Sequence, residues 1–207
     1  MPRVAICAWW ATLILGLAAA PVVGQPREAL GGLVVDVRVV STTLPTGVGW
    51  TPSVTPVGAL VPGRGVGADT GLHLFMGPGR FRRLSVGVSG LVAEGRATGV
   101  EAPTIATRMV AAAPHAAINF GHRHGWSYLS LGAGTASVRS NVKGTTTPAT
   151  WGLAFHYGAG ARWFIREHVA VSLDLRFWAL TPRPATATLQ SAAATTRIAL
   201  GAGLSFH

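Results

Sequence analysis

Along "HVAVSLDLRFWAL", His168 to Leu180, large apolar residues alternate with polar or small ones: Val169, Val171, Leu173, Leu175 and Phe177 fall on one side of an extended chain, Ala170, Ser172, Asp174 and Arg176 on the other. The same period of two recurs along most of the chain. It predicts eight strands over about 31–41, 64–76, 82–96, 104–120, 126–138, 150–164, 168–180 and 192–206. Each is long enough to cross a bilayer as a tilted strand, which takes roughly 9–11 residues.

The segments between these strands alternate in kind. After the second, fourth and sixth strands come the short turns "GPGR" (77–80), "GHRHG" (121–125) and "IRE" (165–167). After the first, third, fifth and seventh come longer loops rich in Pro and Thr, such as "SNVKGTTTPAT" and "TPRPATATLQS". Short connections on one side, long ones on the other and both termini on the short side describe an up-and-down barrel. The long first loop is too short to hold a domain, so the strands form one unit.

Which face is outside follows from what the weaker face carries. In 150–164, Trp151, Leu153, Phe155, Tyr157 and Trp163 oppose Gly152, Ala154, His156, Gly158, Gly160 and Arg162. A water-exposed sheet face would carry Lys, Glu, Thr and Gln, because glycine weakens a strand and adds no solubility. Gly, Ala and Ser with an occasional Asp, Arg or His instead suit the lumen of a narrow eight-stranded barrel, which side chains just fill. The apolar faces are then expected to meet lipid. Trp126, Tyr128, Trp151, Trp163 and Trp178, near strand ends, are expected to form the interfacial aromatic girdles.

Composition agrees with a membrane barrel. The formal charge is +10, yet only 12% of the 207 residues are charged, against about 25% in a typical soluble domain. Twenty-seven glycines argue against a helical protein, and no apolar run in the expected mature chain is long enough for a membrane helix. That N-terminal run, "VAICAWWATLILGLAAA" after Arg3, with Val22, Val23 and Gly24 at its end, reads as a signal peptide over 1–24, leaving a barrel domain over 25–207. The single cysteine, Cys7, lies within it, so the expected mature chain has no disulfide.

In "YGAGARWFIREHVAVSLDLRF", Tyr157 to Phe177, a glycine-rich strand, a short turn and an alternating strand with inward Asp and Arg follow one another. With the final "RIALGAGLSFH", this stretch resembles the small outer-membrane β-barrels typified by the transmembrane domain of outer membrane protein A. The resemblance extends over essentially the whole mature chain. It implies an all-β, eight-stranded antiparallel transmembrane barrel in the outer membrane of a diderm bacterium. It also implies that Phe206, penultimate here before His207, is the aromatic of a C-terminal signal read by the barrel assembly machinery.

The residues that could carry chemistry are few. Asp36, Arg38, Asp69, Arg162, Asp174, Arg176 and Arg197 are expected inside the lumen, where buried charges must pair or be hydrated. A plug that fixes strand register is favoured over a gated narrow channel in which the pairs exchange partners. A lipid-modifying active site would have to draw on the inward candidates His73, His115 and His156, but no serine stands at a familiar lipase spacing from a histidine, and no enzyme activity is expected. The "HRH" of 122–124 reads as a solvated turn, and no metal or other cofactor is expected. Arg80, Arg82, Arg83, Arg123 and Arg166 fall at the short-turn rim, and Arg64, Arg96, Arg108, Arg139, Lys143 and Arg183 at the long-loop rim. Their expected partners are the headgroups of outer-membrane lipids, including lipopolysaccharide, rather than nucleic acid, in a monomeric protein. The role expected of such a chain is envelope structure or binding through surface loops. A soluble lipocalin-like binder, with the apolar faces lining a ligand cavity, is the alternative architecture.

Overall fold

The computed structural model describes residues 32–47, 49–50, 58–76, 84–122, 125–142, 144–147, 149–185 and 190–207. The expected signal peptide, the "GPGR" turn, Arg80, Arg82, Arg83, Arg123 and Lys143 lie outside them. The strands are β1 (Leu33–Thr43), β2 (Arg64–Met76), β3 (Leu84–Ala97), β4 (Ile105–His122), β5 (Gly125–Val142), the two-residue β6 (Thr145–Thr146), β7 (Thr150–Arg166), β8 (Val169–Leu180) and β9 (Thr195–Phe206). Each long strand pairs antiparallel with its sequence neighbour, β1 pairs with β9, and β4 with β5, so the sheet closes into an eight-stranded barrel. Closure leaves no free strand edge in the wall. β6 lies outside the wall, folding back on β5 through Asn141↔Thr146 and Val142↔Thr145.

Residue parity sets the two faces. On β1, Val34, Asp36, Arg38, Val40 and Thr42 are buried, while Val35, Val37 and Val39 face out, Val39 with 67% of its surface open. Leu129 and Leu131 of β5, Leu153 and Phe155 of β7 and Leu200 of β9 continue the outward apolar belt around the barrel. A contiguous apolar belt round the wall is what soluble monomers rarely expose, their largest patch being typically about 300–600 Å². The greasy face of Val169–Phe177 is therefore the outer one, and the lipocalin-like arrangement, with apolar residues lining a cavity, is not the one adopted.

The structure departs from the sequence-based boundaries at both ends of the barrel. At the long-loop end β1 continues to Thr43, where the Thr42 hydroxyl donates to the Ile198 carbonyl at 3.0 Å, and β5 runs on to Val142; at the short-turn end β4 reaches His122 and β7 Arg166. Pro114, in mid-β4, faces outward; the β4–β5 ladder is interrupted between Ala112↔Thr135 and His115↔Gly132, consistent with a residue that has no N–H to donate.

Candidate functional site

Three carboxylates and three guanidiniums, all buried, meet in the lumen. The β1 residue Asp36 accepts from Arg162 of β7 through both oxygens, Nε to Oδ1 at 3.0 Å and Nη2 to Oδ2 at 2.7 Å. Its Oδ2 also lies 2.5 Å from Arg38 Nη2 and 2.9 Å from His73 Nε2, and the Ser205 hydroxyl donates to Oδ1. Arg38 donates to Asp69 Oδ1 at 2.7 Å, to the Tyr128 hydroxyl at 3.1 Å and to Ser172 Oγ at 3.2 Å. Arg176 bridges Asp69 at 3.1 Å and Asp174 at 3.2 Å, and the Tyr128 hydroxyl donates to Asp174 at 2.5 Å. The Arg162 guanidinium stacks 4.3 Å above the Tyr128 ring. Equal numbers of opposite charges, locked by bidentate and charge-assisted bonds, are what allow ions to stand inside a protein wall.

Glycines opposite these side chains make the room. Asp36 faces Gly71 across the sheet, Arg38 faces Gly203, Arg176 faces Gly158, and Asp174 and Tyr128 both face Gly160. A Cβ on Gly160 would run into the Tyr128 ring. Gly160→Val is therefore expected to displace Tyr128 from Asp174 and Arg162 and to cost about 1–3 kcal/mol, the usual range for overpacking, read as a lower urea midpoint in phospholipid vesicles. A change at Gly152, on the same inward face near the start of β7 but with nothing within 4 Å of an added Cβ, is the matched control.

The same alternation builds a row of histidines. His73, Gly87, His115, Gly132, His156 and Trp178 are successive register partners on β2, β3, β4, β5, β7 and β8. His73 Nδ1 and His115 Nε2 are 3.2 Å apart, and the His156 ring lies 4.8 Å from that of Trp178. The row connects the ionic cluster at Asp36 to an apolar layer of Val40, Leu44, Leu91, Met109, Trp178 and Leu180 at the long-loop end. A smaller apolar layer, Val34 and Phe164 with Phe75 and Trp126, fills the short-turn end. Above the upper layer the loops are tied together: Trp50 packs on it and donates to the Ala193 carbonyl at 3.0 Å, and Arg183 lies 5.0 Å over the Trp50 ring and donates to Gly49 O.

Three expectations about site residues are corrected by this arrangement. Tyr128 and Trp178 are not girdle residues but are fully buried in the lumen, and Trp126 packs inward on the lower apolar layer. Their even positions place them beside Ser130 on β5 and beside Asp174 and Arg176 on β8, so parity, not nearness to a strand end, sets their direction. Arg197 does point inward but stands outside the ionic cluster, donating to Leu44 O at 3.1 Å and to the Thr195 hydroxyl, because it enters β9 two residues from its loop end. Arg183 is likewise buried under the loops rather than at the lipid rim. Trp151 and Trp163 face outward at opposite ends of β7, and Phe206 faces outward at the last position of β9. Sequence reading missed Tyr128 as a member of the cluster, although Leu129 and Leu131 beside it already marked the outer face of β5.

Eight antiparallel strands closed around an ion-paired interior, with an apolar belt outside, give this chain the fold of the small outer-membrane β-barrels. Neisserial surface protein A has the same fold, with a TM-score of 0.57 at 12% identity over 86% of this chain and 99% of that one. So does Ail, the attachment invasion locus protein of Yersinia pestis, with a TM-score of 0.50 at 12% identity over 86% of this chain and 100% of that one. No protein-family model matches the chain, and no curated protein matches it in sequence.

Proposed function

We propose that the chain is exported with loss of residues 1–24 and inserted as a monomer into the outer membrane of a diderm bacterium, its lumen sealed. It acts there in envelope structure and through its surface loops, without a catalytic centre or cofactor. The observation that carries this reading is the Asp36–Arg162–Arg38–Asp69–Arg176–Asp174 cluster, in which every carboxylate is held by at least one guanidinium and apolar layers lie on both sides. Seven of the eight barrel strands supply the cluster and its histidine row, which suits a device that fixes register in glycine-rich strands. The tie between Trp50, Arg183 and Ala193 holds the described parts of the first and last long loops together. Outward Phe206 is the residue offered to the assembly machinery.

The test is electrical. Purified protein that shows a compact unheated band, shifted on boiling, is expected to give no current steps in a planar bilayer. Arg38→Ala, which removes the side chain joining Asp69, Tyr128 and Ser172, is expected to give steps or a raised leak. Steady steps from the unaltered protein, changed in size by Asp174→Asn, would replace the sealed barrel with the narrow channel. One feature favours that second reading: Arg162 Nη1 and Arg176 Nε are buried without an acceptor, which leaves donors for a rearranged set of pairs.

A further inference from the structure

On the outer wall, near the long-loop end, Arg108 of β4 stands directly opposite Arg139 of β5. Like charges in that position repel. Neither makes a hydrogen bond or ion pair with a described residue; Glu94, which faces Arg108 from β3, is engaged instead by Arg96 at 2.9 Å. Between the two arginines, Val110 and Trp151 lies a cleft of about 160 Å³, several times the roughly 30 Å³ of a water molecule. Ser137 lines the same cleft. Although it points outward, it is 97% buried, and its hydroxyl has no partner among the described residues.

Two unpaired guanidiniums and an unsatisfied hydroxyl converging on one cleft call for an oxyanion. Arginine forks match the oxygens of a phosphate, and Ser137 Oγ–H supplies a further donor. The depth of the cleft identifies the source. Trp151 stands at the second position of β7, where an interfacial aromatic belongs, and Leu153 and Phe155 continue below it into the apolar belt. Long loops mark the outer side of such a barrel, so the cleft opens at the headgroups of the outer leaflet. We propose that Arg108, Arg139 and Ser137 form a binding site for a phosphate of an outer-leaflet lipid, the lipid A phosphate where the membrane carries lipopolysaccharide. Trp151 and Val110 flank the apolar part of the same molecule. The site rests on the transmembrane orientation proposed above but not on a sealed lumen.

The experiment is native mass spectrometry of the folded barrel in detergent with three probes: bisphosphorylated lipid A, the same lipid stripped of both phosphates, and inorganic phosphate. Arg108→Gln and Arg139→Gln are each expected to weaken bisphosphorylated lipid A by about tenfold, and Ser137→Ala by about threefold. Removing the phosphates from the lipid should erase the difference between variants and the unaltered protein. Arg64→Gln and Arg166→Gln, each the same loss of one charge elsewhere on the exposed surface, should each change binding less than twofold. An equal loss in those controls would reduce the site to diffuse attraction, and inorganic phosphate binding as tightly as the lipid would overturn the lipid as occupant. Failure of the unaltered protein to insert into vesicles would overturn the orientation itself, whereas insertion with unchanged lipid affinity in the variants would sink only the site.

Discussion

Asp36→Asn is expected to destabilise the barrel by about 3–5 kcal/mol, the range found when one partner of a buried ion pair is removed and the other is stranded. The substitution keeps the shape and removes the charge. Arg38 retains Asp69, but Arg162 has no other carboxylate and is left with the Tyr128 ring. His73 and Ser205 lose their carboxylate partner as well. Urea unfolding in phospholipid vesicles, followed by tryptophan fluorescence, measures the loss. Adding Arg162→Met to Asp36→Asn should recover part of it, since a buried pair exchanged for an apolar side chain of similar volume costs far less than a broken pair. Two variants whose costs simply add would mean that Asp36 and Arg162 do not act as a unit, and the cluster would lose its central contact.

What was legible in the sequence and what was not divides along a physical line. Period two fixes which residues share a face, and in Val169–Leu180 it separated Asp174 and Arg176 from Leu173 and Leu175 without ambiguity. The composition of the weaker face then told inside from outside, because glycine and alanine beside isolated charges make sense only where space is scarce. Depth along the barrel axis is different. It depends on the stagger between strands, which no single strand carries, so Arg197 shared the inward face but not the level of the cluster. The register Arg38↔Asp69 sets side by side two residues 31 apart in the chain, and Arg162 meets Asp36 across 126. The apolar layers above and below the ions were also invisible in advance. They consist of ordinary core residues such as Leu91 and Met109, whose shared level in the lumen emerges only once their strands are aligned with β1 and β8.

Trp178→Ala measures the cost of that upper layer and decides between the two places a tryptophan can occupy in such a barrel. The side chain is the largest of those fully buried, packed among Val40, Leu44, Leu91, Met109 and Leu180 with His156 against its ring. Truncation is expected to cost about 3–5 kcal/mol, as for aromatic-to-alanine changes in other cores, because the closed wall cannot collapse into the space. Trp151, with 53% of its surface open on the outer wall, supports no such layer, and Trp151→Ala should cost markedly less in the same vesicles. The cavity left by Trp178 would also lie between the histidine row and the capping contact of Trp50, so water can replace the ring. Conductance provides the second readout: with the ionic cluster intact below, Trp178→Ala alone should stay electrically silent, and only its combination with Arg38→Ala should pass more current than Arg38→Ala by itself. A large leak from Trp178→Ala on its own would move the seal from the salt bridges to the apolar layer. Equal stability losses at positions 178 and 151 would return Trp178 to the membrane girdle and undo the inward assignment of the upper layer.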